Sequence, residues 1–416
     1  MAGTPLAVLD LVPISAGSTA AQALRNSIDL AQHAERLGYA RYWFAEHHLN
    51  PGVAGTSPAV VLALTAAATS TIRIGSGAVQ MGHRTALSVV EEFGLIDALH
   101  PGRLDLGLGR SGGRPAAASR GAAPPAGAVR AEAPRGWQQH GGSPAAGSAS
   151  EPAAGEPAAG QPAAGQPTAA SGGYAANGLL IPAKFNPGPL LKSPRFALQR
   201  TLLQLPRAEP QDYGAQVDDV LALLRGSYEA ADGTQAHAVP GEGADVQVWI
   251  LGSSGGESAE VAGRNGLRFA ANYHVSPATV LEAAAGYRAA FRPSAELAEP
   301  YVCVSADVVV AENEATAREL AGGYGMWVRS IRTGEGAIEF PTPAQARAYA
   351  WTDDDRALVA DRIETQFVGS PAQVADQLER LRDATEADEL IVTTITHEHA
   401  DRVRSFELLA QEWSKR

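Results

Sequence analysis

The chain has 416 residues, 45% of them hydrophobic and 19% charged, enough apolar side chain for one large core or two ordinary ones. Its formal net charge of -12 argues against a nucleic-acid-binding surface, which would show a basic patch. The single cysteine, Cys303, excludes an intramolecular disulfide framework and a cysteine-based metal site. Met1 to Asp10 holds no basic stretch leading into an apolar run, and no apolar run approaches the length of a membrane span. A cytoplasmic protein with no membrane partner is expected.

Leu6 to Leu11 is an apolar run that fits a buried strand. Ser18 or Thr19 caps a helix over Ala20 to Leu37, where Leu24, Ile28, Ala31, Ala34 and Leu37 recur at helical spacing before Gly38. Arg41 to Ala45 is a second strand, and Ser57-Pro58 opens an Ala/Leu-rich helix to about Ser70. Ile72 to Val79 is a third strand, unusual for Gly75 and Gly77 inside it. Thr85 to Leu99 is an amphipathic helix closed by His100-Pro101-Gly102, and Arg103 to Leu108 a fourth strand. Strands alternating with helices over short links imply parallel strands with right-handed crossovers.

The pattern breaks at Ser111. As far as Gly173 the chain is mainly Ala, Gly, Pro, Ser and Gln, with an approximate repeat and almost no large apolar residue beyond Trp137. Such composition cannot offset the entropy of ordering, so residues 112–173 read as a disordered, low-complexity insertion. Tyr174 to Pro210 is a poorly periodic return segment. Order resumes at Asp212, with strands expected over Val246 to Leu251, Leu267 to Ala271, Tyr301 to Val310 and Glu389 to Ile395. The helices between and after them are Tyr213 to Leu224, Ser258 to Asn265, Ala278 to Phe291, Glu312 to Ala321, Asp353 to Gln366, Pro371 to Asp383 and Asp401 to Trp413. Gly322 to Tyr349 reads as a second irregular excursion.

Eight strands with intervening helices, and no ninth, point to an α/β fold, a closed (β/α)8 TIM barrel in a single domain of residues 1–416 interrupted by the insertion. An open doubly wound sheet would carry a Gly-rich fingerprint after its first strand, where this chain has Val12 to Gly17.

Barrel enzymes place their active sites at the C-terminal strand ends. Those ends carry Glu46, His47 and His48 after the second strand, Gly77-Ala78 in the third, and Gly107 to Ser111 with Arg110 after the fourth. Gly252 to Gly256 follows the fifth, Asn272, Tyr273 and His274 close the sixth, and Thr393, Thr394, Thr396 and His397 the eighth. Adjacent strand residues face opposite sides, so Glu46, His47 and His48 cannot all ligate one ion, and no metal is expected. The small residues of Leu251 to Gly256 suit a phosphate cradle ahead of a helix, with hydroxyls from Ser254 and Ser258 and a counter-charge from Arg110.

Several stretches together resemble the bacterial luciferase-like flavin-dependent monooxygenases, which are (β/α)8 barrels. They are F-A-E-H-H at 44–48, I-G-S-G-A-V at 74–79, H-P-G-R-L-D-L-G-L-G-R at 100–110, L-G-S-S at 251–254, Pro300-Tyr301, and R-S-F-E-L-L at 404–409. The resemblance spans roughly residues 5–111 and 210–413. It implies an enzyme using reduced FMN, supplied by a separate flavin reductase, and O2 to oxidise a small organic substrate through a flavin hydroperoxide. Carried over by position, His47 matches the catalytic histidine, and Glu46, counted with it among the catalytic residues, matches its structural and flavin-side neighbour. The Gly77–Ala78 bond matches a non-proline cis peptide under the flavin ring, and Arg110, Ser254, Gly255 and Ser258 match phosphate contacts. His48 and Asn272 are assigned to the substrate pocket. A homodimer follows from the resemblance alone.

The chain departs from the family in two places. Relatives often carry a Pro-Asn-His-type run where this chain has Gly82-His83-Arg84, and the low-complexity insertion replaces a segment after Arg110 that is usually ordered. The insertion is expected to loop out beside an intact site. A deazaflavin-dependent hydride-transfer enzyme and a non-catalytic flavin-binding barrel are the competing readings.

Overall fold

The computed structural model describes residues 3–110, 172–205, 208–209 and 211–416. The insertion at 112–173 therefore lies almost entirely outside the described residues. Eight parallel strands form the barrel: β1 (Leu6–Asp10), β2 (Arg41–Phe44), β3 (Arg73–Ser76), β4 (Leu104–Gly109), β5 (Val246–Gly252), β6 (Arg268–Asn272), β7 (Val302–Val310) and β8 (Glu389–Thr393). Each pairs with its sequence neighbours among the eight, and β8 pairs with β1, so the sheet closes. Closure removes both sheet edges and excludes the open doubly wound alternative.

Strand alternation sorts the side chains. Val8, Tyr42, Phe44, Ile74, Leu104 and Leu106 pack outward in the layer shared with the helices, whereas Ala7, Leu9, Trp43, Trp249, Ala270, Cys303 and Ile391 fill the barrel. Trp43 and Trp249 meet edge to face with centroids 5.0 Å apart. Their bulk accounts for the glycine at position 75 of β3, where a Cβ would lie 2.8 Å from Trp43 Cδ1 and 2.6 Å from Asp105 Cβ.

The floor of the barrel is ionic. Arg41 donates to both Glu389 oxygens at 2.6 and 3.0 Å and to Asp105 at 2.7 Å. Asp105 also accepts from Arg73 at 2.8 Å and Trp43 Nε1 at 2.9 Å, and Glu389 from the Tyr301 hydroxyl at 2.9 Å. These residues sit at strand starts, on the face opposite the expected site.

Helix boundaries follow local capping. Thr19, rather than Ser18, caps Ala20–Arg36 by accepting from Gln22 N, and Asp212 caps Tyr213–Leu224 through Ala215 N. Three expectations need correction. Phe367–Gly369 forms a further short strand, parallel to the upper end of β7, so the barrel's eight strands are joined by a ninth outside the closed ring. The excursion at 322–349 holds two helices, Tyr324–Arg332 and Pro343–Ala348, the first buried through Tyr324, Trp327 and Val328. The return segment holds a hairpin, Gly173–Tyr174 with Leu180–Ile181, and the helix Pro194–Leu203. Their prolines and mixed periodicity hid these short elements from a pattern reading. Among the described residues no helix is long and apolar enough to cross a membrane.

Candidate active site

A cavity of about 610 Å³ opens at the C-terminal ends of the strands. Of the residues singled out from the sequence, Glu46, His47, His48, Gly77, Ala78, Arg110, Ser254, Ser258 and Asn272 all line it. Gly255 does not: it lies against the helix Val280–Ala290, and its N–H donates to Glu282 Oε1 at 3.3 Å.

The extension of β2 divides its three ionisable residues. Glu46 and His48, two positions apart, point the same way, and His48 Nε2 lies 2.9 Å from Glu46 Oε1. His83 Nε2 lies 3.1 Å from the same oxygen, to which an Arg84 terminal nitrogen also donates at 3.3 Å, while the Gln80 N–H donates to Oε2 at 2.8 Å. Burial alone would raise the Glu46 pKa. The hydrogen bonds from His48, His83 and Gln80, with the Arg84 charge, outweigh it and hold the carboxylate at about 2. The donor atoms of Glu46, His48 and His83 lie within 4.8 Å of one another, a spacing open to an ion. The positive charge beside this carboxylate is already supplied by Arg84.

His47 is set apart. Its backbone N–H is anchored to Gly55 O at 2.7 Å, and its ring makes no hydrogen bond among the described residues. Burial, reinforced by His48 and opposed by Glu46, pushes its pKa down to about 4. The ring is therefore neutral near pH 7, with one nitrogen free to accept a proton. His274, from the end of β6, lines the same cavity with Nδ1 2.5 Å from Ser305 Oγ. Burial, then Arg362 and His47, lowers its pKa to about 3.

The peptide bond from Gly77 to Ala78 is cis, the geometry that the resemblance implies. It interrupts β3, and the chain rejoins β4 at Val79–Gln80. The Gly77 N–H donates to Phe44 O at 2.8 Å, and a Cβ on Gly77 would lie 2.8 Å from Leu9 Cδ1. Gly77 and Ala78 thus present a ledge of small residues at the cavity wall.

Between β4 and β5 the cavity turns polar. Arg110 forms an ion pair with Glu257, which occupies the first turn of helix Glu257–Arg264, where negative charge is favoured. Ser254 and Ser258 line the cavity beside this pair, and their hydroxyls have no hydrogen-bond partner among the described residues. An arginine, two hydroxyls without a partner among the described residues and a helix N-terminus that already attracts a carboxylate suit an anionic group such as a phosphate.

Sequence reasoning missed His83, Arg362 and the helix Pro194–Leu203, which lines the cavity through Arg195, Phe196 and Gln199. Ser305 and Asp307 had a legible signal: two polar residues at alternate positions of an otherwise apolar strand share its inward face and need partners there. Arg362 had none, because it comes from a remote helix.

Comparison with known proteins places the chain in a family and a fold. The family model described as luciferase-like monooxygenase matches residues 4–133 and 215–387. The uncharacterized protein YvbT of Bacillus subtilis (strain 168) is 32% identical over 414 residues, covering 99% of this chain and 98% of its own. The structure of apo-MsnO8 superposes with a TM-score of 0.70 at 28% identity, covering 99% and 98% of the two chains. The fold alone is shared with two more distant structures, each covering 99% of both chains. One is the oxygenating constituent of 3,6-diketocamphane monooxygenase from Pseudomonas putida in complex with FMN (TM-score 0.60, 15% identity). The other is an F420-dependent secondary alcohol dehydrogenase (TM-score 0.55, 11% identity).

Proposed function

The chain belongs to the luciferase-like monooxygenase family, and on that premise we propose that it is an FMN-dependent monooxygenase. It takes reduced FMN from a separate flavin reductase, and O2, to oxidise a small organic substrate. The observation that carries this reading is the arrangement around one cavity: the Gly77–Ala78 ledge, the Arg110–Ser254–Ser258 cradle and the His47 ring, which has no hydrogen-bond partner among the described residues.

Arg110, Ser254 and Ser258 would hold the phosphate, with Arg110 exchanging Glu257 for the phosphate oxygens. The ledge formed by Gly77 and Ala78 would support the ring system. Reduced flavin, when bound, supplies the electrons that activate O2. His47, neutral and facing the cavity, accepts a proton and returns it. Its low basicity favours prompt return. Glu46, fixed by four neighbours, holds the backbone from which His47 projects. Leu9, Trp43 and Ile391 keep the inner end of the cavity apolar and exclude water from a reactive oxidant.

Anaerobic titration with FMN, in both oxidation states, and with reduced deazaflavin tests the cofactor. Preferential binding of FMN is expected, weakened on Arg110→Ala. Preferential deazaflavin binding with hydride exchange would replace the oxygenase reading with the hydride-transfer one.

The homodimer has support of its own. Helix Pro58–Ala68 contains no charged residue, and it leaves Val60, Ala63, Leu64 and Ala67 exposed at i, i+3, i+4 and i+7. The helix packed beside it, Ala86–Leu99, exposes Leu87, Leu95, Ala98 and Leu99, with one exposed charge, Glu91, between Leu87 and Leu95. Val60 and Leu95 are 61% exposed and Leu99 78%. A two-helix apolar face of this kind fits self-association. Light scattering is expected to show a dimer for the native protein and a monomer for Leu64→Glu/Leu95→Glu. A native monomer would contradict the proposal.

A further inference from the structure

β2 and β6 stand four strands apart around the closed ring, so the residues that follow them face each other across the barrel. His47 extends β2, His274 extends β6, and both line the cavity. Neither residue is fully buried. The two rings lie close enough for the charge of one to bear on the other, since His47 contributes to the lowered pKa of His274.

The two rings are held differently. His47 has no side-chain partner among the described residues, whereas His274 is fastened from behind. The Tyr273 N–H donates to Ser305 O at 3.0 Å, tying the end of β6 to β7, and the Tyr273 hydroxyl donates to Leu180 O at 2.7 Å. Alternation then turns Asn272 and His274 toward the cavity and Tyr273 away from it. His274 Nδ1 lies 2.5 Å from Oγ of Ser305, a residue only 4% exposed.

That contact fixes the tautomer. A serine hydroxyl has one proton to donate. Its other acceptor, Ala271 O, is 3.5 Å away, at the outer limit of a hydrogen bond. The proton therefore goes to His274 Nδ1, which must be bare to receive it. Burial, then Arg362 and His47, push the His274 pKa down to about 3, so the ring is neutral near pH 7 and its own proton sits on Nε2. Nε2 makes no hydrogen bond among the described residues, yet it is not one of their fully buried polar atoms, so it opens on the cavity.

We infer that His274 is a second working imidazole of this cavity, held by Ser305 as a neutral Nε2–H donor and complementary to His47, which accepts. Ser305 is a positioning residue that acts through the His274 ring. The inference rests on reading the cavity as a flavin-dependent reaction chamber. When O2 takes electrons from a reduced flavin, negative charge gathers on oxygen. A neutral donor already aimed into the cavity stabilises that charge as it develops. The two walls then divide the work: a proton acceptor after β2 and a hydrogen-bond donor after β6.

Long-range proton–nitrogen correlation NMR on the full chain with isotope-labelled histidine, free of cofactor, reads the tautomer directly. Near pH 7 the signals that vanish in His274→Gln are expected to show a neutral ring protonated on Nε2. Ser305→Ala, which leaves Nδ1 without its donor, is expected to give a mixture of the two tautomers. A wild-type ring protonated on Nδ1, or on both nitrogens, would overturn the inference, as would an unchanged tautomer in Ser305→Ala. Rapid mixing of the reduced FMN complex with O2 tests the role. His274→Leu is expected to slow that reaction about a hundredfold, with FMN affinity unchanged within about twofold. His274→Gln keeps an N–H donor and is expected to recover most of the rate. A leucine variant as fast as wild type, or a glutamine variant no faster than leucine, would also overturn it. If wild-type protein binds no reduced FMN, the flavin reading fails, while the tautomer measured without cofactor still decides whether His274 is a donor.

Discussion

His47→Ala is expected to lower kcat by about a hundredfold to ten-thousandfold, the usual contribution of a positioned acid–base group, while FMN affinity changes far less. The expectation rests on the isolation of the ring: it lines the cavity, and among the described residues it has no hydrogen-bond partner to hold it in a structural role. Its neighbours Glu46, His48 and His83 are bound to one another and so are poorly placed to substitute for it. The pH profile carries the same signature. With the His47 pKa pushed down to about 4, chiefly by burial, the group is already deprotonated at pH 6. The acid limb that it sets in kcat/KM should fall near pH 4, below the usual histidine range. Steady-state kinetics with flavin binding measured in parallel check both points. An equal loss in turnover and binding would make His47 a pocket residue with no role in proton transfer.

Arg41→Met should cost the fold about 3–5 kcal/mol, the range for breaking a buried ion pair from one side. The arginine bridges Asp105 and Glu389 across the barrel floor and packs 4.8 Å from the Trp249 ring centroid. Removing it leaves the two carboxylates unequal. Asp105 keeps Arg73 at 2.8 Å, whereas among the described residues Glu389 keeps only the Tyr301 hydroxyl. Burial already raises the Glu389 pKa in the native protein, with Arg41 pulling against it. Without Arg41 the folded-state pKa rises further above the unfolded value. The uncompensated carboxylate then penalises folding at high pH, and protonation relieves the penalty as pH falls. Denaturant unfolding of both proteins should therefore give a larger stability difference at pH 8 than at pH 5. Arg41→Met/Glu389→Leu should recover part of the loss. A loss that does not vary with pH would mean that packing against Trp249, and not charge, makes Arg41 matter.

The strands were legible because their runs are apolar, short and separated by helices with clear caps such as Thr19 and Asp212. Their C-terminal ends brought Glu46, His47, Gly77, Arg110, Ser254 and Asn272 into view together. What escaped the sequence was of two kinds. Short elements such as Phe367–Gly369 and Pro194–Leu203 have too few residues to show a period. Long-range partners such as Arg362 on Asp307, 55 positions apart, and His83 on Glu46, 37 apart, come together only through tertiary packing of neighbouring elements, which no local pattern announces. Gly255 shows the opposite failure. Its neighbours in a Gly/Ser run face the cavity, while backbone direction turns it toward Glu282.

On the proposed reading, this cavity binds reduced FMN and commits it to oxygen. Rapid mixing of the anaerobic protein–reduced FMN complex with oxygenated buffer tests this directly, with absorbance recorded from the first milliseconds. A spectral species distinct from reduced and oxidised flavin is expected, decaying to oxidised FMN more slowly than free flavin reoxidises, with its decay altered in His47→Ala. Reoxidation in a single phase at the rate of free FMN, in protein shown to bind the reduced cofactor, would contradict it.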